Sequence, residues 1–224
     1  MKKIIKISLI LLLVGMAVIS VVPFLKEKRA ERKYENGLKK IQESVTEKKS
    51  NVNGLVKKNK DCIGYVEIPG TTINYPVMQT KDKPDFYLNH DFNRNYSFYG
   101  TPYLSAYCDG EKSDNLIIYG HNINGGKMFG ALEQYKDKEF FNKHRKIYFT
   151  TDKKMEYEVF AVMSVNIHEF EYWKFVMARD KEEYDEFVDK VEEHSLWRQG
   201  DKPKYGEQIL MLSTCDNGKG DDWR

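Results

Sequence analysis

The sequence predicts a mainly β protein, a closed or nearly closed barrel with inserted helices, preceded by helical segments at the N-terminus. Three observations predict it. From Ile63 onward, short apolar or alternating runs are broken at close intervals by turn residues. The chain's 15 tyrosines and 12 phenylalanines favour pleated, half-buried surfaces. Helical periodicity is confined to residues 26–60 and to inserts between the apolar runs.

The elements follow in order. Ile7 to Leu25 is a run of 19 residues whose only polar side chains are Ser8 and Ser20. At about 1.5 Å per residue it matches the thickness of a bilayer core. A cleaved signal peptide is the competing reading. The run is long for one, and no small-x-small cleavage site follows it. Residues 1–25 are therefore expected to be a membrane anchor. Lys2, Lys3 and Lys6 stand before the run and Lys26, Lys28, Arg29, Arg32 and Lys33 after it, so charge alone does not set its orientation. Residues 26–60 are rich in Lys and Glu. Ala30, Tyr34, Leu38, Ile41 and Val45 recur every three or four positions, the narrow stripe of an amphipathic juxtamembrane helix. That stripe is expected to dock on the domain after it.

Residues 61–224 form the barrel domain. Seven strands are predicted, in "CIGYVEIP", "INYPVMQ", "GTPYLSA", "NLIIYGH", "RKIYFTT", "EYEVFAVMSVN" and "QILMLSTC". "MFGALEQYKDKEFFNKH" reads as a short helical connection. The longest insert, residues 179–197, is a helix between the sixth and seventh strands. Asp180 caps it with Glu183 three positions on, and Tyr184, Phe187, Val188 and Val191 share one face.

The charge balance, +2 from 36 basic and 34 acidic side chains, offers no concentrated basic surface and excludes nucleic acid as the expected partner. Cys62, Cys108 and Cys215 are odd in number and widely spaced, so at least one thiol is free. The absence of a C-x-x-C pair argues against structural zinc. Chemistry concentrates at two strand exits. His121 follows "NLIIYG" and is itself followed by polar, glycine-rich "NINGG". Cys215 follows "QILMLST". Two strands of one barrel can end side by side, which would join His121 and Cys215 across 94 positions. A cysteine nucleophile needs its thiolate, which an imidazolium or a guanidinium favours. Arg224, nine positions past Cys215, can return to the same mouth and donate to an oxyanion.

These segments resemble class B sortases. "LSTC" at Cys215 is similar to the family's T-L-x-T-C strand end, with Met211 in place of the threonine. "YGHN" at His121 resembles the family's histidine segment. "DFYLNHDFNRNYSFYGTPYLSAYCD" and "KMFGALEQYKDKEFFNKHRKIYFTT" resemble the stretches before and after it. Ser105 stands where relatives often carry aspartate. The late helix and the helical N-terminal extension indicate class B.

The resemblance implies a membrane-anchored cysteine transpeptidase of Gram-positive bacteria. Its N-terminus would be cytoplasmic and its catalytic domain extracellular. It would cut a sorting signal near the C-terminus of secreted proteins, after threonine. It would then pass the acyl group from Cys215 to an amine of a cell-wall precursor or a pilin. His121 would be the acid and base, and Arg224 the oxyanion donor. Ser213, Asp216, Leu104 and Asn122 would contact substrate. No metal or other cofactor is implied. The family's arginine opens a last strand that closes the barrel, whereas this sequence ends at Arg224. The barrel is therefore expected to lack that strand and Arg224 to be loosely held. Two other readings stay open: a cysteine endopeptidase with water as acceptor, and a non-catalytic barrel that binds peptide.

Overall fold

The computed structural model describes residues 2–46 and 52–224. Within the first helix, the side chains of residues 2–5, 8–15, 17–18 and 46 also lie outside the described set. The expected juxtamembrane segment thus has residues 47–51 beyond description. Two compact units divide the chain, Met1–Glu43 and Ser44–Arg224.

The first unit is helical. Helix α1 spans Lys2–Thr46, with Pro23 inside it. Lys28 and Glu31 pair at 2.8 Å on its surface. Among the described residues, no helix is long and apolar enough to cross a membrane, and most of the apolar run's side chains are not among them.

The second unit, which begins within the last turn of α1, contains α2, Val52–Lys58, which buries Val52 and Leu55. Strands β1 (Cys62–Glu67), β2 (Asn74–Met78), β3 (Tyr103–Leu104) and β4 (Asn115–Tyr119) follow. A hairpin of β5 (Asn122–Ile123) and β6 (Lys127–Met128) leads to a 3-10 helix at Gly130–Lys136. Next come α3 (Lys138–Lys143), β7 (Lys146–Thr150), β8 (Lys154–Glu158) and β9 (Ala161–Met163). The chain ends with α4 (Lys181–Glu193), β10 (Ser195–Arg198) and β11 (Ile209–Ser213).

Seven strands make one sheet in the order β11-β4-β3-β2-β1-β7-β8. Most neighbours are antiparallel, but β2 with β3 and β11 with β4 are parallel. The two edge strands approach each other: the Tyr157 hydroxyl, on β8, donates to Gln208 Oε1 beside β11 at 2.7 Å. The sheet is a nearly closed barrel. Its core holds Val66, Ile73, Val77, Leu116, Ile117, Ile118 and Phe149, none more than 2% exposed.

The sixth predicted strand is in fact two. At Val159 and Phe160 the chain changes partners. Val159 N–H still donates to Arg145 O near β7, whereas Phe160 O accepts from Gln199 N–H beside β10. Strand β10 pairs β9 in a separate ribbon. The sequence reading places residues 195–197 at the end of the inserted helix, so the partner that diverts the chain is not visible there. The helix itself behaves as its spacing predicts. The Asp180 carboxylate accepts from Glu183 N–H at 3.0 Å, and Tyr184, Phe187, Val188 and Val191 are buried. Phe187 stacks on Phe175 with ring centres 3.9 Å apart.

Candidate active site

Strand β4 is a continuous apolar run because both its faces are covered. Strand β11 lies beside it in parallel register, from Ile209↔Asn115 to Ser213↔Tyr119. The pairing continues past both strand ends. Gly120 N–H donates to Ser213 O at 3.1 Å, and the Thr214 hydroxyl donates to Gly120 O at 2.7 Å. The two chains leave the sheet together, and the next residues are His121 and Cys215. Asn122 closes the junction by donating from Nδ2 to Cys215 O at 2.8 Å. Gly120 permits this packing, since a Cβ there would sit 2.7 Å from the Phe129 ring.

The three thiols differ in setting. Cys62 and Cys108 are at most 2% exposed. Burial pushes the Cys62 thiol up to about 12, against a weak opposing bond to Gly64, and raises that of Cys108 as well. A thiol held protonated is a poor nucleophile. Cys215 is half-buried at the strand exit.

His121 is oriented from a distant segment. Its Nε2 lies 2.9 Å from Leu88 O, at the end of a 3-10 turn spanning Phe86–Leu88. A carbonyl only accepts, so Nε2 carries the hydrogen and Nδ1 is the nitrogen open to proton exchange. Gly100 makes this carbonyl available. Its φ is +59°, and a Cβ there would press on Leu88 O and lie 2.7 Å from Tyr87 O. Gly100→Ala is expected to cost on the order of 1–3 kcal/mol of stability and to lower turnover by displacing the Leu88 carbonyl. Thermal unfolding and peptide-cleavage kinetics check both effects.

The loop from Cys215 to Arg224 is closed by its own hydrogen bonds. Asp216 N–H donates to Trp223 O at 2.9 Å, and Asp216 O accepts from Lys219 N–H at 3.0 Å. Arg224 is not loosely held as expected. Its N–H donates to Val165 O at 2.9 Å and its carbonyl accepts from Val165 N–H at 2.8 Å, a complete antiparallel pair beyond β9. Sequence could not show this, because Val165 is 59 positions away. The guanidinium spends Nη1 on Asp221 O, at 2.5 Å, and Trp223 O, at 2.9 Å. Burial raises the hydroxyl pKa of Tyr103, Tyr119 and Tyr172, and the Arg224 charge opposes that rise in all three. The guanidinium therefore lies within electrostatic reach of these rings.

The expected substrate contacts fare differently. Leu104, Ser213 and Asp216 are 1%, 5% and 2% exposed. The Ser213 hydroxyl bonds the Tyr172 hydroxyl at 2.7 Å. Asp216 binds Lys136 at 2.7 Å and Ser164 at 2.6 Å. Leu104 packs inward, Ser213 and Asp216 are held by these partners at the wall of the cavity beside β11, and Asn122 is committed to Cys215 O and to Glu133. Sequence reading missed Leu88, Glu133, Lys136, Ser164 and Tyr172. Glu133 and Lys136 sit one helical turn apart in "ALEQYK", but nothing local signals that Lys136 reaches Asp216, 80 positions on. Among the described residues, no cluster of His, Cys, Asp and Glu is arranged to hold a metal. A cavity of about 530 Å³ opens between β11 and β8–β9 and reaches Cys215, Asp216 and Arg224. His121 does not line it, so this cavity is not in itself the place where peptide meets both groups.

The sortase domain profile matches residues 66–223, so the chain belongs to the sortase family. It is 33% identical over 180 residues to sortase B of Listeria monocytogenes, covering 76% of this chain and 72% of that one. It superposes on a Staphylococcus aureus sortase B–substrate complex with a TM-score of 0.76 at 27% identity, covering 88% and 93%. For Clostridium perfringens sortase B the TM-score is 0.71 at 30% identity, covering 77% and 94%. Within the family the chain is a class B sortase, a cysteine transpeptidase. Sortases are cell-surface or membrane-associated enzymes that act on sorting-signal substrates and cell-wall precursors.

Proposed function

We propose that this chain cleaves a sorting signal near the C-terminus of secreted proteins, after threonine, and transfers the protein to an amine of a cell-wall precursor or a pilin. The observation that carries the reading is the parallel β11–β4 register, which delivers Cys215 and His121 from the same sheet end.

In this reading the Cys215 thiolate attacks the scissile carbonyl carbon, and the carbonyl oxygen becomes an oxyanion. Arg224 stabilises that charge. Its guanidinium bonds to Asp221 O and Trp223 O both use Nη1, so Nε and Nη2 can turn to substrate. The imidazolium of His121 donates a proton from Nδ1 to the departing amine nitrogen, the C–N bond breaks, and a thioester on Cys215 remains. An incoming amine then attacks the thioester while His121 takes its proton back. Residues 1–25 anchor the enzyme in the membrane, with the N-terminus cytoplasmic and residues 61–224 outside. The support for this anchor is the uncharged run from Ile7 to Leu25.

The test is a peptide library offered with and without glycine-based and diaminopimelate-type amines, read by product mass. Amine-ligated product is expected. Hydrolysis alone, whatever amine is present, would make the chain an endopeptidase. No cleavage of any peptide would leave a binding barrel. Arg224→Ala is expected to lower the acylation rate by about 10² to 10³, the scale of losing one oxyanion donor. Single-turnover thioester formation checks it, and an unchanged rate would move the donor to a backbone N–H near Cys215.

A further inference from the structure

The transfer reaction proposed above uses Cys215, His121 and Arg224, but none of the three side chains fixes the others. A polar cluster behind them does. Lys136 Nζ reaches Asp216 Oδ1 at 2.7 Å and Glu133 Oε2 at 2.6 Å. Glu133 Oε1 accepts from Asn122 Nδ2 at 2.8 Å, and the same Nδ2 donates to Cys215 O at 2.8 Å. One ammonium group thus joins, through two carboxylates, the residue after His121 and the residue after Cys215.

Asp216 is the hub of this cluster. Its side chain is buried and also accepts from the Ser164 hydroxyl at 2.6 Å and Gly218 N–H at 3.2 Å. Its backbone closes the loop through Trp223 O and Lys219 N–H. Burial alone would raise the Asp216 carboxyl pKa, but the hydrogen bonds from Lys136 and Ser164 and the Lys136 charge hold it below the usual carboxylate value. Lys136 in turn stays charged although burial opposes it, because both carboxylates favour the ammonium. A buried carboxylate with this many donors is fixed in place, and so is the loop that carries Arg224.

We propose that Lys136 is a positioning residue, which locks the Cys215–Arg224 loop against the His121 segment through Asp216 and Glu133. The inference rests on the transpeptidase reading. The ammonium of the lysine is committed to Asp216 and Glu133 rather than to the reacting groups. It acts by keeping the oxyanion donor and the nucleophile in fixed relation, and small misplacements of such groups are costly.

The experiment measures single-turnover thioester formation for Lys136→Met and Lys136→Arg in the full chain. Lys136→Met is expected to lower the maximal acylation rate by about 10- to 100-fold with little change in peptide KM, and Lys136→Arg to restore most of it. Adding Lys136→Met to Arg224→Ala should cost little more than Arg224→Ala alone, because both act on the same step through the same loop. A destabilising effect unrelated to the loop would instead add to the Arg224 loss. Lys136→Met leaves Asp216 buried without its cation and can impair folding. The pair Lys136→Met with Asp216→Asn removes the stranded charge and should show the same loss of rate. A wild-type rate in Lys136→Met or in the pair, or full additivity with Arg224→Ala, overturns the proposal. If the unmodified protein formed no thioester with any peptide, the transpeptidase reading itself would fail first.

Discussion

Cys215→Ala is expected to abolish both peptide cleavage and amine transfer, with no thioester detectable by intact-protein mass. In the proposed mechanism the Cys215 thiol forms the acyl bond, so no partial activity should survive. The fold should persist, because Cys215 is half-buried and the removed atom leaves β11 paired with β4 through backbone bonds. The melting temperature should move by no more than a few degrees. Cys62→Ala and Cys108→Ala should behave in the opposite way. Cys62 donates to Gly64 O at 3.6 Å and Cys108 to Asn115 O at 3.3 Å, both deep in the sheet. Their loss opens small cavities and lowers stability, by an amount that depends on how far the core relaxes, while most activity remains. A Cys108→Ala variant as inactive as Cys215→Ala would overturn the assignment of a single nucleophile.

The two strand exits were legible because each combines an apolar run with a reactive residue at its end, and local pattern is what a sequence displays. The inserted helix was legible for the same reason: cap and apolar stripe are both short-range signals. Its C-terminal boundary was not, since "SLWR" alternates too briefly to announce β10 beside β9. The clamp on His121 was invisible in principle. Leu88 contributes a backbone carbonyl, which any residue carries, and the left-handed Gly100 that lets the two segments approach is apparent only from its φ. The surroundings of Ser213 and Asp216 show the same limit. Small polar residues beside a nucleophile suggest contact with substrate, but burial depends on Tyr172, Ser164 and Lys136, which arrive from elsewhere in the chain.

His121→Ala is expected to lower kcat/KM by about 10³ or more. General acid–base catalysis accounts for about 10² to 10⁴ of rate. The histidine is asked to act twice, as acid toward the leaving amine and as base toward the incoming one. In the proposed mechanism its protonated form is also the cation that favours the thiolate, so the loss should lie in the upper part of that range, about 4 kcal/mol or more of transition-state stabilisation. Loss of this cation should also slow alkylation of Cys215 by a small thiol reagent near neutral pH, an effect that a defect in substrate binding would not produce. His90, His144 and His194 hold backbone carbonyls of Phe86, Pro69 and Lys190, and His168 faces Asp222 at 3.7 Å. Each has a local structural partner, so alanine at these positions should leave the pH dependence of turnover unchanged. The unmodified enzyme should give a bell-shaped profile, because the proposed mechanism needs one group deprotonated and one protonated. In His121→Ala the residual rate should lose that shape. A bell that persisted unchanged in the variant would assign proton transfer to another group and remove His121 from the reaction.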